Sequence, residues 1–117
     1  MDLHELVDAL LTHDMLTARQ MVADAQREGL VWASVPEPGG LDASARAVAA
    51  GVVEMLAARA HQSPPSWTGS VDRSPTPVFL VRAALTMPRL RRLCEEEGPE
   101  PLRCRAVMAP PDFLTVA

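Results

Sequence analysis

The chain has 117 residues, 15 of them acidic and 11 basic, for a formal net charge of −4. That length suits one domain and leaves no room for a large two-domain enzyme. No apolar run reaches the roughly 18 residues of a membrane span, and the acidic balance argues against a general nucleic-acid binder.

Lys, Asn, Ile and Tyr are absent, so every basic side chain is Arg. The missing residues have A/T-rich codons, which points to a GC-rich, bacterial genome and strips meaning from the choice of Arg over Lys. Ala supplies 18 residues and little area each, so the core must lean on 14 Leu, 12 Val and 6 Met. Asp2 and Glu5 stand where a signal peptide needs positive charge. Together with only two cysteines, Cys94 and Cys104, this predicts a cytoplasmic protein with reduced thiols. Charge is uneven. Residues 1–60 hold nine acids and four Arg, residues 61–117 six acids and seven Arg, and nine of the 11 Pro lie in 64–111. We read one domain, 1–117, with a helical acidic part (1–61) and a Pro/Arg-rich irregular part (62–117).

In chain order, Leu3, Leu6, Val7, Leu10 and Leu11 form an apolar stripe at helical period. Asp2 is placed to cap that helix, with Glu5 three residues on. A second helix over 15–28 starts at Asp14 and stops at Gly29, where a left-handed residue is wanted. The two-residue join favours a helix hairpin or sharp corner. Residues 30–35 read as a short strand or an apolar loop. A third, Ala-rich helix runs from Asp42 to about His61, its stripe being Ala45, Val48, Ala49, Val52, Leu56 and Ala60. Gly51 in its interior costs about 1 kcal/mol against Ala, which invites a packing reason such as close approach of another backbone. Residues 62–77 form a long loop around Trp67. The apolar run 78–81 reads as a strand, for which 30–35 is a candidate partner, or as a buried extended segment. A fourth helix runs from Pro88 to Glu97, with Gly98 at its end, followed by a turn near 102–105 and an apolar C-terminal segment that docks on the domain or on a partner. The fold class expected is mainly α: a helix hairpin, a long Ala-rich helix, a shorter fourth helix and at most a minimal two-stranded β element.

No constellation predicts catalysis. His4 and Asp8 stand one helical turn apart and could supply two metal ligands, but a site needs a third and usually a fourth. Cys94 and Cys104 fit neither CxxC nor a zinc-ribbon spacing. Ser63, Ser66, Ser70 and Ser74 stand in no nucleophile motif, and no phosphate-cradling glycine loop is present. We therefore expect no catalytic, cofactor-binding or metal-binding residues.

The fourth helix is more informative. Arg89, Arg91 and Arg92 precede Glu95, Glu96 and Glu97, the reverse of what the helix dipole prefers. One reading is a solvated face. The other is a patch for an acidic partner surface or a phosphate backbone, and the residues assigned to partner binding are Trp67, Arg82, Arg89, Arg91, Arg92, Arg103, Arg105 and Phe113. For Trp67 and Phe113 the competing role is to anchor irregular segments to a helical core.

The runs Pro-Ser-Trp-Thr-Gly-Ser-Val from residue 65, Pro-Val-Phe-Leu-Val from 77, Met-Pro-Arg-Leu-Arg-Arg-Leu from 87, Pro-Glu-Pro-Leu-Arg-Cys-Arg from 99 and Ala-Pro-Pro-Asp-Phe-Leu from 109 resemble a group of small bacterial proteins from GC-rich genomes. Some of these sit beside nucleotidyltransferase-like genes in toxin–antitoxin-style pairs. The resemblance covers the last half of the chain and carries over no catalytic residue. It implies an antitoxin-like or adaptor subunit whose protein partner is encoded by an adjacent gene, bound through 62–117. The alternative is a DNA-binding regulator using the first two helices, but their acidic faces do not suit a recognition helix.

Overall fold

The computed structural model describes residues 1–115. Helix α1 spans Leu3–Leu11 and is capped by Asp2, whose carboxylate accepts the Glu5 N–H at 3.2 Å. Leu3, Leu6, Val7 and Leu10 are buried, while Leu11 falls at the edge of the stripe and is 40 % exposed. Helix α2 spans Met15–Arg27 and opens on Asp14. Asp14 accepts both the hydroxyl (2.7 Å) and the N–H (3.2 Å) of Thr17. These bonds, the hydroxyl's first, hold its carboxyl below the usual range. Helix α3 spans Ala43–Arg59 and is capped by Asp42, which accepts the Ala45 N–H at 2.8 Å.

All three helices close in the same way. A left-handed residue follows each cap: His13 at φ 60°, Gly29 at 67° and His61 at 56°. The next N–H then reaches back five residues, from Asp14 to Ala9 O, Leu30 to Ala25 O and Gln62 to Ala57 O, at 2.8–3.0 Å. This is the Schellman closure, and it satisfies carbonyls the helix leaves free. Two of the chain's three histidines are thus accounted for by backbone geometry.

From Ala47 to Ala57, helix α3 is buried on every side but that of Glu54, rather than along one stripe. Ala47, Ala50, Val53 and Ala57, off the expected stripe, are as buried as Val48 and Val52, whereas Ala60 lies past the helix end and is exposed. A helix apolar on every side is a core element, and the rest of the chain wraps it. Helix α1 lies against it, and so does the short helix α5, Glu100–Arg103. A Cβ on Gly51 would stand 2.7 Å from Leu102 Cδ2 and 3.0 Å from the Pro101 carbonyl. The interior glycine is therefore explained by the close approach of α5.

Of the two readings of 30–35 the loop holds, and the pairing of 78–81 with that segment is corrected. Residues 30–35 form no strand: Trp32–Ser34 is a 3₁₀ turn with the Trp32 indole buried. The Gln62 side chain takes the backbone groups that a neighbouring strand would have taken. Its Oε1 accepts Trp32 N–H at 2.9 Å and its Nε2 donates to Leu30 O at 3.2 Å. The strand β1, Val78–Phe79, instead pairs in parallel with β2, Val107–Met108, Val78 opposite Val107 and Phe79 opposite Met108. The architecture is mainly α with this minimal two-stranded sheet.

The loop 62–77 holds a 3₁₀ turn, Ser66–Ser70, and a second such turn, Arg82–Leu85, leads into helix α4, Pro88–Glu97. Gly98 ends α4 at φ −62°, ψ 162°, not in the left-handed conformation expected. It is needed for closeness instead, because a Cβ there would lie 2.5 Å from both the Ala109 and Cys94 carbonyl oxygens. The C-terminal segment docks on the chain itself. The Arg59 guanidinium donates to the Phe113 carbonyl and, at 3.2 Å, to that of Pro111. One cluster of buried side chains runs from Leu3 to Leu114 and draws on both textures of the chain.

Candidate functional site

Tracing the eight residues assigned to a partner surface separates them into two groups. Arg105 and Phe113 are buried, at 7 % and 3 % exposure, which corrects their assignment to an accessible surface. Phe113 fills the core beside Leu114. The Arg105 guanidinium grips Glu54 of α3 through two parallel bonds of 2.8 and 2.9 Å, and donates to the carbonyls of Pro101 and Thr68, each at 2.9 Å. One side chain thereby ties α3, α5 and the 66–70 turn together. Burial alone would raise the Glu54 carboxyl; the Arg105 bonds and charge outweigh it and hold it below the usual carboxylate range. Trp67 is half-buried and donates its indole N–H to Val35 O at 2.9 Å, so it anchors a loop to the core.

The remaining five residues are arginines at or near the surface. Arg103 is held by Glu100 at 2.7 Å and by the Glu96 carbonyl. The Arg91 guanidinium lies 4.9 Å from the centre of the Phe79 ring and 3.4 Å from Glu95, a cation–π contact that occupies it. Arg82, Arg89 and Arg92 are exposed and, among the described residues, form no ion pair. Arg92 and Glu96, one helical turn apart, form no ion pair among the described residues. Between Arg82 and Arg89 stand Leu85 and Met87, more than half exposed. Sequence reasoning missed these two residues, whose only signal was their place between arginines in a segment too short to show a period.

The surface these residues share is set by how α4 is attached. The helix packs on the 82–85 turn rather than on α3. Leu90 and Leu93 are half-buried and lie outside the main core cluster, while Cys94 is fully buried, its thiol pushed up by that burial and by neighbouring Glu95. Residues 82–92 thus form a ridge with an exposed apolar centre and a rim of unpaired positive charge. Arginine rims steer acidic partners and give salt-dependent association rates.

Other places offer less. His4 and Asp8 are exposed, and no group of three metal-binding side chains occurs among the described residues. Ser74 is buried in bonds to the Ser44 hydroxyl (2.8 Å) and the Thr76 carbonyl (2.5 Å). A cleft of about 180 Å³ lies between Met1, Met21, Asp24 and Leu30, below the roughly 300 Å³ at which ligand pockets begin. Its Asp24 is already engaged by Gln20 and Arg27. No helix among the described residues is long and apolar enough to cross a membrane. The residues that organise the fold, Glu54, Arg59 and Gln62, were not singled out in the sequence. Glu54 had a signal, as the only acid within α3. Comparison with protein-family models, curated proteins and solved structures returned no match.

Proposed function

We propose that the chain is a non-enzymatic interaction subunit of the cytoplasm that docks an acidic protein partner on the ridge of residues 82–92. In this reading it is the antitoxin-like or adaptor member of a two-component pair whose partner is encoded nearby. One observation supports it above the rest: Arg82, Arg89 and Arg92 are exposed and form no ion pair among the described residues, around an exposed Leu85 and Met87. Three uncompensated like charges beside apolar surface are unfavourable alone and become favourable opposite a negative, partly apolar surface. The apolar centre favours protein over nucleic acid, and Glu95, Glu96 and Glu97 further along α4 would repel a phosphate backbone.

The test is a photo-crosslinking side chain placed at Leu85 or Met87 in the host cell, with exposed Gln26 of α2 as the control position. The expected result is one specific protein captured at 85 and 87, absent at 26, and lost in the R82E/R89E/R92E variant while that variant stays folded and melts no lower than wild type. No capture at either ridge position, or capture that survives the triple charge reversal, overturns the reading.

A further inference from the structure

A second surface of opposite sign lies at the α1–α2 corner. Leu16, in the first turn of α2, is 82 % exposed, the largest exposure among the big apolar side chains, and Leu11 beside the corner is 40 % exposed. Asp8, one turn before Leu11, and Asp14, the cap of α2, are both exposed at their rim, with Arg19 a turn beyond Leu16. Residues 1–28 carry six acids against two Arg. The corner is held rigidly. His13 sits in the left-handed region, the Asp14 N–H closes α1 at 2.8 Å, and Thr17 fixes the Asp14 carboxylate. An apolar tip on a fixed acidic corner is the chemical complement of the apolar-centred basic ridge of Arg82, Leu85, Met87 and Arg89. The two lie on different parts of the molecule, since α1 packs on α2 and α3 while α4 packs on the 82–85 turn. Leu16, Leu85 and Met87 are all more than half exposed, so the two surfaces do not cover each other within one chain.

We infer that the α1–α2 corner of a second copy seats on this ridge, so that the chain self-associates head to tail. The inference rests on the ridge being a docking surface, as proposed above, and names a second copy as one of its occupants. Joining two different patches makes a heterologous contact, which repeats into rings or open chains rather than stopping at a two-fold dimer. An open chain of copies keeps one free corner at one end and one free ridge at the other, and a closed ring keeps neither.

Sedimentation equilibrium on the full chain tests this with two surface variants. L16E breaks the corner, and L85E/R89E breaks the ridge. These side chains are exposed, and circular dichroism checks that both variants remain folded. The wild type is expected to gain mean mass over about 0.01–1 mM, the range in which small interfaces associate. Raising salt from about 0.05 to about 0.5 M should weaken that association roughly tenfold as charges are screened. Each variant alone is expected to stay monomeric. Mixed, they are expected to form a 1:1 heterodimer that grows no further, because one supplies an intact ridge and the other an intact corner. A wild type that is monomeric throughout, a single variant that still associates, or a mixture without heterodimer overturns the inference. If the wild type is monomeric while a Leu85 crosslinker still captures another protein in cells, only self-association falls; if neither occurs, both readings fall.

Discussion

At the scale of single residues, the Glu54–Arg105 pair decides most. Arg105 is 7 % exposed, and its four bonds close the carbonyls of Pro101 and Thr68 as well as the carboxylate. Removing one partner leaves the other half-buried and uncompensated, which typically costs about 3–5 kcal/mol. Glu54 keeps some contact with solvent, so we expect the lower end of that range for R105M, read from urea denaturation at neutral pH. The pair also sets a pH dependence. The folded-state pKa of Glu54 is lowered, so the stability it adds is fully present above the unfolded value, ~4.3, and is lost as pH falls through the lower folded value. Wild-type stability should therefore drop more steeply below about pH 4 than that of E54Q, which lacks the titrating group. Parallel acid profiles for the two proteins would sink this assignment. A second residue-scale prediction concerns His61, held at φ 56° in an exposed position. The left-handed region costs a residue with a Cβ roughly 1–2 kcal/mol, part of which glycine returns to the unfolded chain as entropy. H61G is expected to raise the melting temperature by a few degrees, and a lower value would show that the imidazole has another role.

At the scale of elements, what was legible followed from local rules. The caps Asp2, Asp14 and Asp42, the stop at Gly29 and the Pro88 start were all read from short-range chemistry, and all sit where expected. The strands were half legible: β1 lies within the run 78–81 read as a strand or extended segment, but its partner β2 was not foreseen. Two residues carry no period, and β1 finds β2 only because α5 on Gly51 brings the chain back beside α3. The candidate site was half legible. Arginine content marked the region, but burial alone tells Arg105 from Arg89, and burial depends on which side of a chain segment meets α3. Helix α4 offers a test in which stability and binding move in opposite directions. With no acid in its first turn and no base in its last, it opposes its own dipole. Placing Glu at position 89 should stabilise the helix by about 0.3–1 kcal/mol. R89E is accordingly expected to melt slightly higher than wild type and to lose crosslinking at Leu85. A variant that melts higher yet crosslinks normally would mean Arg89 serves no partner.

At the scale of the molecule, both textures of the sequence feed one core, and this decides how the chain can act. Helix α3 from the acidic half is covered by Leu102, Val107, Ala109, Phe113 and Leu114 from the Pro-rich half. Arg59, Gln62 and Arg105 bind across the division through polar contacts. The Pro/Arg-rich half is therefore not a free binding tail on a helical support. A helix apolar on every side has nowhere to put its surface in water unless it is wrapped. Partner binding as proposed would use what the wrapping leaves outside, and the 82–92 segment, with Leu85 and Met87 more than half exposed, is one such surface. The consequence can be checked by cutting the chain at the exposed Ser63–Pro64 junction, where no element is interrupted. Fragments 1–63 and 64–117 should each lack a cooperative thermal transition. Mixed at equal concentration, they should regain helical signal and one transition, because each holds the apolar surface the other lacks. If fragment 64–117 folds alone, the two textures are separate units and the ridge belongs to the second. If the mixture stays unfolded, chain continuity through residues 62–65 is itself part of what orders the wrap.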